Sequence, residues 1–242
     1  MPKLDFSLSF QKNEEAVGGF PVIVVAAGSA SRMKGVDKMF APLLGVPTVI
    51  RTLKAFEDNR NIASIAVVTR EEKIAEIRAL AEKYAISKLD YVVAGGSCRE
   101  DSVKNGLILY KDKYSKALVH DGARPLVSGE VIDRVAEALN RCDNVTCAVP
   151  LKDTVKEIDE DGLVISTPDR AKLVSVQTPQ GISIDAFFRS SEENDLSSFT
   201  DDTSVLSAVG VPTQTVAGDY MNIKITTPED LAVAEMYLGK EL

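Results

Sequence analysis

Arg32 and Lys38 are where chemistry can first be read, because they follow a run of small residues, Ala26-Ala27-Gly28-Ser29-Ala30. Backbone N–H groups in such a run can come close to a phosphate and form a nest for anions. Two cations a few residues further on suit a triphosphate, whose charge must be neutralised when a phosphorus atom is attacked. The run is neither G-x-G-x-x-G nor G-x-x-x-x-G-K-[ST], so it supports neither a dinucleotide fingerprint nor a P-loop. On these residues alone, a tight turn after a strand followed by two solvated cations reads equally well.

Other positions carry similar pairs of readings. In Gly95-Gly96-Ser97-Cys98-Arg99-Glu100-Asp101-Ser102, the glycines and Arg99 could present groups to a base and Ser102 to a nucleotide; a glycine-rich turn with a capping Ser is the plainer alternative. In Val119-His120-Asp121-Gly122-Ala123-Arg124-Pro125, Asp121 could meet a ribose hydroxyl or a magnesium ion carried by phosphates. His120 is the chain's one histidine, and it reads more simply as a strand-end residue bonded to protein than as a base. Lys224, between Ile223 and Ile225, would point opposite to its apolar neighbours on a strand, into a pocket or out to water from an edge. Asp201 and Asp202 most simply cap a helix. Thr154 and Arg170 flank a stretch that breaks the surrounding pattern.

That surrounding pattern alternates short apolar runs with amphipathic segments, which predicts an α/β fold with a mostly parallel sheet and helices on both faces. Strands are expected at Val22–Ala27, Ile65–Thr69, Tyr91–Ala94, Ala117–His120 and Thr146–Pro150. Helices are expected at Thr48–Phe56, from Ile74 to Tyr84, at Val103–Tyr110 and at Gly129–Leu139. From Leu151 to Val176 the rhythm breaks into β-like pieces, Thr154–Ile158, Leu163–Ser166 and Leu173–Val176, which predicts a hairpin-like arm. Helices near Ile184–Arg189 and Thr203–Val209 follow, then strands at Thr213–Val216 and Asn222–Thr226. The last helix begins with Thr227 as N-cap, Pro228 at the first helical position and acidic Glu229 and Asp230 in its first turn. One domain over residues 1–242 is expected, with a loose leader at 1–20 and the arm at 151–176.

Composition narrows the function. The 242 residues hold 28 Lys plus Arg against 36 Asp plus Glu, a net charge of −8 with no basic block, which argues against nucleic acid or an anionic membrane as partner. No apolar run is long enough to span a bilayer. The 3 cysteines, Cys98, Cys142 and Cys147, have no metal-ligand spacing, and their odd number suits a reducing cytoplasm.

Taken together, AAGSASRM, DKMF, GGSCREDSV, VHDGARP, DTVKEI, DRAKLVSVQTPQG, TDDTS and NIKITTPEDLAVAE, in that order, resemble the 2-C-methyl-D-erythritol 4-phosphate cytidylyltransferases of non-mevalonate isoprenoid biosynthesis. The likeness runs from about Phe20 to Leu238. It implies a Rossmann-like nucleotidyltransferase fold, a homodimer interlocked by the arm, and a magnesium-dependent reaction of CTP with a branched polyol phosphate. It implies that Arg32 and Lys38 stabilise the transition state and that the Ala26–Ala30 loop wraps the nucleotide. Gly96, Arg99 and Ser102 match cytidine-side contacts, and Asp121 and Arg124 match residues that reach ribose or substrate. Thr154, Arg170 and Thr178 match residues around the methylerythritol phosphate, the first two delivered by a partner's arm. Lys224 matches the lysine that positions the attacking phosphate together with Arg170. A cytidylyltransferase for another polyol phosphate, such as ribitol phosphate, or a silent nucleotide-binding protein are the rival readings. Two departures stand out: Asp37-Lys38-Met39 replaces the usual Pro-Lys-Gln, and Gly122 replaces a common Ala. Asp37 is expected to place a negative charge beside Lys38 and weaken its phosphate contact.

Overall fold

The computed structural model describes residues 18–28, 35 and 37–239. The chain forms, in order, β1 (Phe20–Val25), β2 (Pro42–Leu43), β3 (Val46–Pro47), α1 (Thr48–Glu57), β4 (Ile62–Thr69), α2 (Ile74–Lys83), β5 (Leu89–Ala94), α3 (Arg99–Leu107) and β6 (Lys116–Asp121). Then come α4 (Gly129–Leu139), β7 (Asn144–Pro150), β8 (Glu157–Ile158), β9 (Val164–Ser166), β10 (Val174–Ser183), α5 (Ile184–Glu193), α6 (Asp202–Ser207), β11 (Gln214–Ala217) and α7 (Pro228–Leu238).

Seven strands make one sheet in the order β11-β7-β10-β6-β1-β4-β5, parallel throughout except for β10. Successive strand residues point to opposite faces, so a strand covered on both sides must be apolar at every position. Val22 and Val24 of β1 join one core layer with Leu53 and Phe56 of α1 and Val131 of α4, while Ile23 joins Leu107 of α3 and Phe187 of α5 on the other. In β4 the same split puts Ile65 and Val67 on the first face and Ala66 and Val68 on the second. This is the α/β architecture expected from the apolar runs.

The structure departs from the expected elements in two places that matter for the site. Leu173–Val176 does not belong to the arm alone: from Val174 it runs into β10, which lies between β6 and β7. Gln177-Thr178-Pro179-Gln180-Gly181 looks unlike a central strand, since proline cannot donate to a ladder. Here the β7 ladder is interrupted between Val176 and Gln180, so Pro179 has no ladder bond to make. Buried Gln180 is fully engaged, its amide donating to Thr146 Oγ1 (3.1 Å) and Asp201 Oδ2 (2.8 Å), its carbonyl accepting from the backbone of Asp202 and Thr203. Gly181 is required by close approach, because a Cβ there would lie 2.7 Å from Val145 and 2.9 Å from Leu139.

The second departure is Asn222–Thr226, expected as a strand but lying outside every sheet. It is an irregular segment held by contacts outside any ladder: Ile225 N–H to Ala123 O (2.8 Å), Arg124 to Asn222 O (2.8 Å) and the Asn222 amide to Thr178 O (2.8 Å). The helix expected at Val103–Tyr110 begins earlier, at Arg99, where Cys98 caps it. The final helix starts at Pro228 as expected, with Asp230 reaching back to accept Thr227 N–H (2.9 Å).

The arm is a short antiparallel hairpin of β8 and β9, turned at Gly162 with φ +82°. Ile158, Leu163, Val164 and Ile165 on it are all more than half exposed, at 57–67%. Among the described residues no helix is long and apolar enough to cross a membrane.

Candidate active site

Parallel strands end together, and loops leaving their carboxyl ends share one crevice. Val25 of β1 pairs with Asp121 of β6 on one side and with Val68 of β4 on the other, so the Ala26-Ala27-Gly28 turn lies between the loops that follow those strands. Gly95-Gly96 leaves β5 alongside, and Gly95 is needed there, since a Cβ would meet Ala27 Cβ at 2.6 Å.

Two adjoining cavities open at this edge. The first, about 410 Å³, is lined by Ala26, Ala27, Gly28, Lys38, Gly96 and Ser102, among others. The second, about 350 Å³, is bounded by Arg124, Gln177, Thr178, Thr200 and Asp201. Arg99, Asp121 and Lys224 line both, so they form the wall between the compartments.

That wall is a cluster of charge. Asp121 receives Lys224 Nζ at 2.9 Å, Arg99 Nε at 3.4 Å and Arg124 Nε at 3.4 Å. Burial alone would raise the Asp121 carboxyl, but Arg99, Lys224 and Arg124 outweigh it and hold the group well below the usual carboxylate range. Arg99 makes a two-pronged pair with fully buried Asp202, at 2.9 and 2.8 Å. Burial opposes the Arg99 charge, yet Asp202 first, then Asp121 and Glu100, raise its pKa and keep it ionised.

Asp202 was not legible as a site residue. Asp201 is the helix cap, accepting Ser204 N–H at 3.0 Å, which leaves the second aspartate of the doublet for Arg99. Two acids where a cap needs one was the available signal.

His120 is structural. It is fully buried against the edge of Phe56, ring centroids 4.9 Å apart. Its Nε2 faces Arg124 O (3.2 Å), which can only accept, so Nε2 carries the proton. Nδ1 then accepts from the Thr178 hydroxyl (3.0 Å), whose oxygen accepts Asp121 N–H (3.0 Å). Burial pushes the imidazole pKa down to about 3, so the ring is neutral at physiological pH. The relay ties β10 to the Asp121–Arg124 loop.

Of the residues singled out from sequence, Ala26, Ala27, Gly28, Lys38, Gly96, Arg99, Ser102, Asp121, Arg124, Thr178 and Lys224 come together around the two cavities. Ser29, Ala30 and Arg32 lie outside the described residues, as does the leader up to residue 17. Thr154 and Arg170 line neither cavity; both are exposed on the arm, where Arg170 donates to Lys152 O. The Ser102 hydroxyl accepts Gly96 N–H (3.0 Å) and donates to Cys98 O (3.0 Å), so its proton shapes the glycine loop.

Asp121 does not suit a metal ion. Its carboxylate faces three cations, and among the described residues no three His, Cys, Asp or Glu side chains gather into a metal site. Both departures near Lys38 have partners in the fold. Asp37 is engaged by Arg70 and by Met39 N–H. A Cβ on Gly122 would lie 2.6 Å from the Met39 methyl, so Gly122 makes room for Met39.

The model of the 2-C-methyl-D-erythritol 4-phosphate cytidylyltransferase family matches residues 20–240. A protein of that name from Dehalococcoides mccartyi is 42% identical over 218 residues, covering 90% of this chain and 95% of its own. One from Bacillus cereus is 41% identical over 222 residues, covering 90% and 97%. The crystal structure of 4-diphosphocytidyl-2C-methyl-D-erythritol synthase from Anaerococcus prevotii superposes with a TM-score of 0.81 at 32% identity, covering 92% of this chain and 97% of that one.

Proposed function

Because the chain belongs to the 2-C-methyl-D-erythritol 4-phosphate cytidylyltransferase family, we propose that it transfers CMP from CTP to 2-C-methyl-D-erythritol 4-phosphate. The observation that carries this reading is the wall of paired charges, Arg99, Lys224 and Asp121, between two adjoining cavities. CTP occupies the cavity beside Ala26–Gly28 and Gly96, and the acceptor occupies the one beside Arg124 and Thr178. An oxygen of the acceptor phosphate attacks the α-phosphorus of CTP. The bond from that phosphorus to the bridging oxygen breaks, and pyrophosphate leaves.

The acceptor phosphate is already anionic at neutral pH, so the step needs no protein base. This agrees with a single histidine that is buried and neutral. Catalysis is then positioning and charge stabilisation. In this reading Arg32 and Lys38 meet the triphosphate, and Lys224 exchanges its bond to Asp121 for one to the attacking phosphate. Magnesium belongs to the nucleotide substrate rather than to a protein site.

Thr154 and Arg170 reach the second cavity from a partner's arm in a homodimer. Support comes from Thr154 and Arg170 lining neither of their own chain's cavities and from four exposed apolar side chains, Ile158, Leu163, Val164 and Ile165, on the same hairpin. The whole chain acts as one nucleotidyltransferase domain in the cytoplasm, where Cys98, Cys142 and Cys147 stay as thiols.

Pyrophosphate release tests the reading, with CTP, UTP and ATP each offered against methylerythritol phosphate and ribitol phosphate. Turnover is expected with CTP and methylerythritol phosphate. Faster turnover with ribitol phosphate would reassign the acceptor, and no release with any pair would remove the catalytic reading.

A further inference from the structure

Lys38 is carried on a turn with no helix or strand of its own, and yet a transition-state cation must be held to within a fraction of an ångström. The residues on either side of it are held. Asp37 accepts the backbone N–H groups of Phe40 (3.1 Å) and Ala41 (2.9 Å) through its carbonyl, and Met39 N–H (3.1 Å) through its carboxylate. Met39 is buried, and its carbonyl accepts Val49 N–H at 2.9 Å from α1. These bonds make the turn rigid in itself and fasten its far side to α1.

Its near side is fastened by the segment leaving β4. The other carboxylate oxygen of Asp37 pairs with Arg70, the first residue after that strand. Three residues on, Lys73 Nζ lies 4.5 Å from the centre of the Phe40 ring, a second grip on the same turn from the same segment. We propose that Arg70 and Asp37 are positioning residues, an ion-pair latch that sets where Lys38 stands at the mouth of the nucleotide cavity.

The proposal rests on the reading of Lys38 as a group that meets the phosphates. It also makes a distinction that a plain stabilising contact would not. The Arg70 and Asp37 side chains are 35% and 29% exposed. A pair so open to water adds little to global stability. The latch should therefore show itself in turnover and not in melting temperature.

The test is a double-mutant cycle on the full chain, with kcat, KM for CTP and melting temperature measured for Arg70→Met, Lys38→Ala and the two combined. Lys38→Ala is expected to lower kcat about 100- to 1000-fold. Arg70→Met is expected to lower kcat about 10- to 100-fold, as a misplaced group does, with KM for CTP changed less than about threefold. The melting temperature should move by no more than about 2 °C. Because Arg70 acts through Lys38, the combined variant should match Lys38→Ala to within about a factor of two. Asp37→Ala, taken through the same cycle, should repeat the pattern, and it decides the matter if Arg70→Met does not fold. Unchanged kcat in Arg70→Met, or an equal loss with and without Lys38, overturns the latch. Wild-type kcat in Lys38→Ala overturns the reading of Lys38 itself, and the latch with it.

Discussion

With a single histidine in the chain, the effect of its burial on stability can be isolated. His120 has a pKa of about 3 in the folded protein against 6.5 for the free group. Burial is the main cause; Arg124 and Lys224 add to it, while Asp121 and the bond to Arg124 O oppose it. A depressed histidine pKa means that the unfolded chain binds the extra proton. Stability is therefore fully present above about pH 6.5 and falls as pH drops towards the folded pKa, at up to about 1.4 kcal/mol per pH unit. Between pH 7 and pH 5 the native ring stays neutral while the unfolded one becomes almost fully charged, a loss of about 2 kcal/mol. For a chain of this length that is about 4–8 °C in melting temperature. Thermal unfolding at the two pH values, for the wild type and for His120→Gln, measures it as the difference between their pH shifts. Glu100, whose carboxyl burial raises, pulls the other way but does so in both proteins. The imidazole gives an independent reading: its one Cε1–H resonance should stay unmoved from pH 8 to pH 5. A resonance that titrates near 6.5, or an equal pH shift in both proteins, would refute the buried, neutral assignment.

Asp202→Asn should destabilise the protein by about 3 kcal/mol, the lower end for breaking a buried pair because Asp121 and Glu100 remain to Arg99. Denaturant unfolding checks this, and kinetics should show a raised KM for CTP as Arg99 shifts. Lys38→Ala chains mixed with Arg170→Ala chains, dissociated and reassociated, should regain about a quarter of wild-type activity, since random pairing leaves one site in four intact if the arms cross. No recovery, with mixed dimers confirmed by mass, would return Arg170 to its own subunit. Gly181→Ala should cost about 1–3 kcal/mol, because its methyl would press on Val145 and Leu139, whereas Gly122→Ala meets the movable end of Met39 and should cost less. Equal melting temperatures for the two glycine variants would count against this packing argument.

The strands that end at the site were legible because burial on both faces leaves an unbroken apolar run, as in Val22–Val25 and Ile65–Val68. The loops at their ends could be singled out by their small residues and cations, but residue type left a plain turn with solvated cations equally open, and only the resemblance of the whole set of segments favoured a nucleotide site. The start of α7 could be read from Thr227, Pro228 and Asp230, because capping is a matter of near neighbours. What escaped depends on partners distant in the chain. β10 carries Gln-Thr-Pro-Gln-Gly into the middle of a sheet, which is tolerable only because Thr146, Asp201 and His120 satisfy those polar groups once the chain has folded. Asp202 becomes the counter-ion of Arg99 across 103 residues, and Asp37 meets Arg70 across 33. Lys224 could be singled out from its apolar neighbours, but the strand expected to carry it is instead a segment held by Ala123, Arg124 and Thr178 outside any ladder. Periodicity and capping are local and can be read along the chain, whereas the pairing of a buried charge or a buried amide is decided only by what the tertiary fold brings beside it.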